Sequence, residues 1–197
     1  VYETGKTLSE VCERISPGIA TGADNVFVMD AEEVPSQLKS WMYPTISGKE
    51  LEQLDVGAAV QSNSVFLCPY REDGTLIPED DLGEFGTWAE IHETRLKNRS
   101  CYQKGKRKWY AWHENPPMED ILQEKILFRD ITDEPKFWID REGTILPRHS
   151  VYYLIPKEGI DIEELAHYLN SSKVAKWLQL NCQRARDGYL RLQSTVM

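Results

Sequence analysis

Lys125-Ile126-Leu127-Phe128, Lys136-Phe137-Trp138-Ile139 and Val151-Tyr152-Tyr153-Leu154-Ile155, with the helical stripe Ile162, Leu165, Ala166, Leu169 that follows, decide the fold class. The first three are short runs of β-branched and aromatic residues, and Asp140-Arg141-Glu142-Gly143 is a turn leading from the second run into a further strand. Past Pro156 the apolar period changes to that of a helix, and a second stripe begins at Val174, Trp177 and Leu178. Working back toward the N-terminus, Ser64 to Tyr70 reads as a strand, and Arg71 to Ile77 as its return through an Asp73-Gly74 turn. Val26 to Met29 reads as another strand. Helical spacing is expected over residues 8–15, which Ser16-Pro17-Gly18 stops, over 32–38, and over 87–99. These elements predict an α+β fold, with mixed, mainly antiparallel sheets in the first two-thirds and helices packed at the C-terminal end.

The 197 residues are 41% hydrophobic, enough for a substantial core, and contain no apolar run of membrane-spanning length. The N-terminus VYETGKTLSE lacks a basic-then-apolar leader, so a soluble, cytoplasmic protein is expected, with no membrane partner. Cys12, Cys68, Cys101 and Cys182 are far apart and predict reduced thiols; a zinc site would need a chance convergence of His92, Cys101 and His113, and none is expected.

Net charge is −9, which alone argues against a phosphate-rich partner, but its distribution does not. Residues 1–94 carry 5 Lys/Arg against 18 Asp/Glu, residues 95–113 carry 7 against none, and residues 114–197 carry 11 against 14. One concentrated basic segment on an acidic body suits a protein that presents a single face to DNA; a solvated basic loop is the alternative. Within it, Lys97, Lys104, Lys106 and Lys108 suit phosphates, while Asn98, Arg99, Gln103 and Arg107 have the chemistry to reach base edges. Tyr102, Trp109 and Tyr110 have two readings, stacking on bases or filling the core.

Three stretches, in this order, resemble the TaqI-like C-terminal specificity domain of adenine-specific DNA methyltransferases and related fused restriction-methylation enzymes. They are Gly18-Ile19-Ala20-Thr21-Gly22-Ala23-Asp24-Asn25-Val26-Phe27-Val28; Lys125 to Ile131 followed by Pro135-Lys136-Phe137 and Asp140 to Gly143; and Tyr168 to Ser172 followed by Cys182-Gln183-Arg184, Gly188 to Arg191 and Leu192-Gln193-Ser194. Pro44 to Leu51 is similar to the segment where family members carry Gly-Arg-Asp-Ile; Lys49 and Glu50 stand here for the arginine and the aspartate, keeping charge without the fork of an arginine. The resemblance implies that residues 1–197 form one target-recognition domain, a fragment of a longer protein. Its partners would be double-stranded DNA and an N-terminal methyltransferase domain that binds S-adenosylmethionine, with no cofactor in this fragment itself. It adds Lys49 to the DNA-binding candidates, and residue type adds Arg129, Arg184, Arg186 and Arg191. For Arg129 an internal ion pair with Asp130 is the competing reading, and for the last three a basic cluster at a helix C-terminus. The Gly18–Gly22 loop would either turn backbone amides toward phosphate or the catalytic domain, or be only a turn.

A methyltransferase also needs a Gly-rich cofactor turn and a polar-Pro-Pro-aromatic loop. The chain has no such turn, and Asn115-Pro116-Pro117-Met118 imitates the loop with a methionine that cannot stack on a flipped base. Asp120 with Glu134-Pro135-Lys136 imitates a magnesium-dependent nuclease motif, but Pro135 would interrupt its strand. No catalytic residue is therefore expected here. A catalytic fragment and a protein-interaction module docking through the acidic first half remain the alternatives.

Overall fold

The computed structural model describes residues 7–185 and 188–192. In chain order the first elements are α1 (Leu8–Val11), β1 (Cys12–Pro17), α2 (Asp24–Phe27), β2 (Val28–Asp30), a 3-10 turn (Ser36–Trp41), β3 (Met42–Ile46), α3 (Gly48–Glu52) and β4 (Ser64–Leu67). A second 3-10 turn (Glu79–Asp81) precedes α4 (Gly83–Glu90), α5 (Glu93–Lys97), α6 (Ser100–Gln103) and α7 (Met118–Ile121). There follow β5 (Lys125–Arg129), β6 (Ile131–Thr132), β7 (Phe137–Asp140), β8 (Leu146–Pro147), β9 (Val151–Pro156), α8 (Ile162–Leu169), α9 (Ser172–Asn181), β10 (Gln183–Arg184) and β11 (Leu190–Arg191).

The strands form one antiparallel sheet in the order β1-β9-β5-β7, a second in the order β2-β4-β3-β8, and a small third, β10-β11-β6. Only the β3–β8 pairing is parallel among the named strands. Strands β5, β7 and β9 of the first sheet are buried on both faces, which is why they read as apolar runs, whereas the edge strand β1 is only partly buried. Alternation along β5 and β9 sends Ile126, Phe128 and Leu154 to one face, where they meet Leu165, Ala166 and Leu169 of α8 and Leu178 of α9. Leu127, Val151, Tyr153 and Ile155 go to the other face, into a larger core shared with the second sheet and with Phe27, Phe66, Tyr70 and Trp112. Trp112 sits among those three rings at centroid distances of 5.0–6.3 Å.

A buried ion pair ties β5 to β7. Lys125 and Asp140 are opposite each other in register, and Lys125 Nζ lies 2.6 Å from Asp140 Oδ2. Burial presses the Lys125 amine below its ordinary range, against the pull of Asp140. Asp140 also accepts from the amides of Gly143 and Ile145, so one carboxylate organises the whole turn. Gly143 has φ +66°, and a Cβ there would stand 2.4 Å from the Gln123 carbonyl carbon.

The α+β class, the sheets and the closing helices match the expectation, whereas several local assignments differ. Residues 8–15 are one helical turn, closed by a Thr7–Glu10 capping box, and then strand β1, because pairing with β9 outweighs the local helical spacing. Val26 and Phe27 belong to α2, and the strand starts at Val28. The segment expected to be helical over 32–38 is instead the 3-10 turn that follows Pro35. The helix expected over 87–99 is two, α4 and α5, parted at Ile91 and His92. Strand β3 was hidden by Pro44 in its middle, which normally argues against a ladder.

Candidate nucleic-acid interface

Arg129 ends β5 on the same side as Lys125 and Leu127, the side on which α3 lies, and there its guanidinium forms an ion pair with Glu52. Its carboxylate partner is Glu52, not the neighbouring Asp130 of the competing reading. Arg148 directly follows β8; its amide donates to Ile46 O at 3.0 Å and its Nη2 lies 2.8 Å from Glu50 Oε2. One five-residue helix therefore supplies both carboxylates, one to each arginine. Between them opens a cleft of about 510 Å³ walled by residues 47–49, 129–131 and 148–150. Gly48 lets the walls approach: its amide donates to Ser150 Oγ at 2.9 Å, and a Cβ there would lie 3.4 Å from Arg129 Nε.

Glu50 is the best-connected side chain at the cleft. It closes the α3 capping box by accepting from Ser47 N at 2.8 Å, and it accepts from Ser64 Oγ at 2.5 Å and Ser62 Oγ at 3.2 Å. Burial pushes its carboxyl up, but the hydrogen bonds from Ser47 and Ser64 and the charge of Arg148 outweigh that and hold it below the usual range. Asp130, also in the cleft wall, is shifted the other way: burial raises it against the pull of Arg191 and His149.

The Gly18–Gly22 loop joins this cleft to a second cationic patch. Ile19 bridges Arg148 in parallel fashion and accepts from the His149 amide at 2.9 Å. Two residues on, Thr21 O accepts from the His113 amide and from Arg99 Nη1, each at 3.0 Å. Lys104, Lys106, Arg107 and His113 surround a pocket there. Two residues of chain span at most about 7 Å, so the two groups of cations flank one loop. Two of the loop's amides are engaged inside the fold, Gly18 N donating to Val151 O and Ile19 N to Pro147 O. A Cβ on Gly18 would stand 2.3 Å from Arg148 O, so close approach is what this glycine permits.

Residues 44–196 match the family model described as the TaqI-like C-terminal specificity domain. The chain belongs to that family. This specificity domain is 28% identical, over 93% of its length and 32% of the relative's, to the type II methyltransferase M.BstVI of Geobacillus stearothermophilus. To M.BanIII of Aneurinibacillus aneurinilyticus it is 30% identical over 77% of its length and 27% of the relative's, and to M.XhoI of Xanthomonas vasicola 24% over 99% and 35%. It thus spans about a third of the length of the curated relatives it matches. In fold it is similar to part of the type IIL restriction-modification enzyme MmeI, solved in complex with DNA, with a TM-score of 0.69 at 10% identity over 98% of this chain and 25% of that one.

The residues singled out from the sequence fall into three groups. Lys49, Asn98, Gln103, Lys104, Lys106 and Lys108 are exposed, Lys49 in the wall of the cleft. Arg107 is half-buried and donates to His113 O and to Asn115 Oδ1, while Lys97 pairs with Glu93 and lies over the Trp109 ring. Arg99 is engaged inside the specificity domain, donating to the carbonyls of Leu96, Thr21 and Trp109 and lying over Phe27. Arg184 donates to Gln179 O at the end of α9 and to Gly188 O, and Arg191 lies in β11 beside Ile131. Arg186 lies outside the described residues. Sequence reasoning missed Arg148, His149 and Glu52, and it met Glu50 only as a stand-in for a family aspartate, not as the partner of Arg148. Two adjacent basic residues between Pro147 and Ser150 were the available signal; the pairing of Arg148 with Glu50, 98 positions away, left none.

Trp109 and Tyr110 are buried, donating to Glu79 Oε1 and Ile77 O, and Tyr102 packs against the core. The two motif look-alikes also have structural employment. Met118 is fully buried and Asn115 holds Arg107. Asp120 pairs with Arg14, and Glu134 with Lys136. Among the described residues no group of three His, Cys, Asp or Glu could hold a metal ion, and no helix is long and apolar enough to cross a membrane.

Proposed function

We propose that this specificity domain reads duplex DNA on behalf of an adenine-specific methyltransferase of a restriction-modification system, in the cytoplasm. It positions the target adenine for flipping by a separate catalytic domain. The observation that carries this reading is the gathering of basic side chains: Lys49, Arg129 and Arg148 at the cleft, joined through the Gly18–Gly22 loop to Lys104, Lys106 and Arg107, on a chain of net charge −9. The relatives' descriptions as type II methyltransferases, and that of MmeI as solved in complex with DNA, support it. An enzyme that flips a base contacts few neighbours of that base, so sequence must be read by another surface. The exposed lysines suit phosphates and fix register; cleft side chains suit base edges in the major groove, where all four pairs differ. Transfer of the methyl group from S-adenosylmethionine belongs to the remaining two-thirds of such a parent.

Fluorescence anisotropy of a labelled duplex tests this. The chain should bind at low salt and lose affinity steeply as salt rises, by roughly 0.9 in log–log slope per phosphate neutralised. Reversing Lys104, Lys106 and Lys108 to glutamate should weaken binding and flatten that slope. If the reversals leave both affinity and slope unchanged, this tract is not the DNA face.

A further inference from the structure

On the reading of the cleft as a duplex-binding surface, we propose that Arg129 and Arg148 are its base readers and that the base they select is guanine. Both are unlike the lysines of the second patch. Their side chains are only 18% and 17% exposed, and each grows from a strand end fixed by ladder or bridge hydrogen bonds. Each is also held by a carboxylate, Glu52 for Arg129 and Glu50 for Arg148, both from α3.

A carboxylate partner cancels much of an arginine's net charge, which defeats a phosphate clamp, whose strength comes from charge and counterion release. What it gives in exchange is orientation, because a guanidinium held at one corner has lost most of its rotamer freedom before the ligand arrives. The group has five donors in one plane, and the ion pair occupies one corner of it. In Arg148 that corner is Nη2, and Nε is enclosed, so the fork left for a base edge is Nη1 with the second hydrogen of Nη2. A planar fork with free donors matches two adjacent acceptors, and in the major groove only guanine offers them, at N7 and O6. Adenine puts an amine beside its N7, cytosine presents a donor, and thymine a single acceptor next to a methyl group. Glu50 and Glu52 are then positioning residues that act through the arginines.

Binding-site selection is the test: the 197-residue chain is mixed with a randomised duplex library and the bound fraction is sequenced, for the parent and for R129K, R148K and E52Q. Lysine keeps the charge and loses the fork. The parent should enrich a motif containing guanine, and each lysine variant should lose the preference for guanine at one position, by roughly five- to 150-fold. Binding of each variant to unselected duplex should change less than its preference for guanine does. E52Q, altered at a half-exposed side chain outside both cores, should blur the same position as R129K and no other. Lysine variants that weaken binding to every sequence alike, leaving the motif intact, would make these arginines phosphate contacts and overturn the proposal, as would a parent motif without guanine. A parent chain that binds no duplex at all would instead bring down the underlying reading.

Discussion

Replacing Lys125 by methionine keeps the volume of the side chain and deletes its charge, so the variant isolates the electrostatic part of the Lys125–Asp140 contact. Lys125 is fully buried and Asp140 is 3% exposed. Removing one member of such a pair costs about 3–5 kcal/mol, because the survivor is a charge with no water and no counter-charge. Asp140 would keep the amides of Gly143 and Ile145, each 3.1 Å away, and lose the ammonium at 2.6 Å. Two remaining donors place the loss at the lower end, about 3 kcal/mol, or a fall of roughly 6–12 °C in Tm for a chain of this size. Urea unfolding followed by tryptophan fluorescence measures it, provided the slope against denaturant is the same for parent and variant. Adding Asp140→Asn to the methionine variant removes the stranded charge and should recover part of the loss. A methionine variant within about 1 kcal/mol of the parent would refute the reasoning, as would an asparagine change whose own cost simply adds.

Gly18→Ala should destabilise the chain by about 2 kcal/mol or more, since the added Cβ meets backbone oxygens on three sides and none can swing away; thermal unfolding checks it, and a variant that melts with the parent would contradict the crowding. Arg99→Lys should cost about 2 kcal/mol by leaving backbone carbonyls without donors, while the salt dependence of duplex binding stays as in the parent; a change in slope without a change in stability would put Arg99 on the DNA. Glu50 is held below its ordinary 4.5, so its contribution to stability is complete above that value and is lost as pH falls through the lowered one. Glu50→Gln should therefore flatten the acid limb of the stability curve below pH 4.5, as followed by denaturant midpoints at successive pH values, and an acid limb parallel to the parent's would contradict this.

The strands β5, β7 and β9 and both closing helices were legible because their residues carry the pattern locally: apolar runs bounded by turn residues, then a period of 3.6 behind Asp161, whose side chain caps α8. The N-terminal third was less so. Cys12 to Pro17 has its partner far along the chain in β9, and β3 admits Pro44 because β8 pairs only with Thr45 and Ile46, leaving one edge of β3 unpaired at Pro44. The basic segment 95–113 was visible as charge, but charge does not say which cations face inward; Arg99 does, held by a carbonyl of the Gly18–Gly22 loop. The cleft was half legible. Lys49 was found on family resemblance and Arg129 on its residue type beside a strand, whereas Arg148 and its carboxylate meet only through the parallel pairing of β3 with β8.

Arg129 lies one residue past Phe128, which is wholly enclosed, and Arg148 one past Pro147, so the same strands that build the interior project their last side chain into the cleft. Foundation and instrument are thus separate residues of a common beam. On the reading proposed for the cleft, exchange at positions 129 and 148 alters the target word while Phe128 and Leu146 keep their places in the interior.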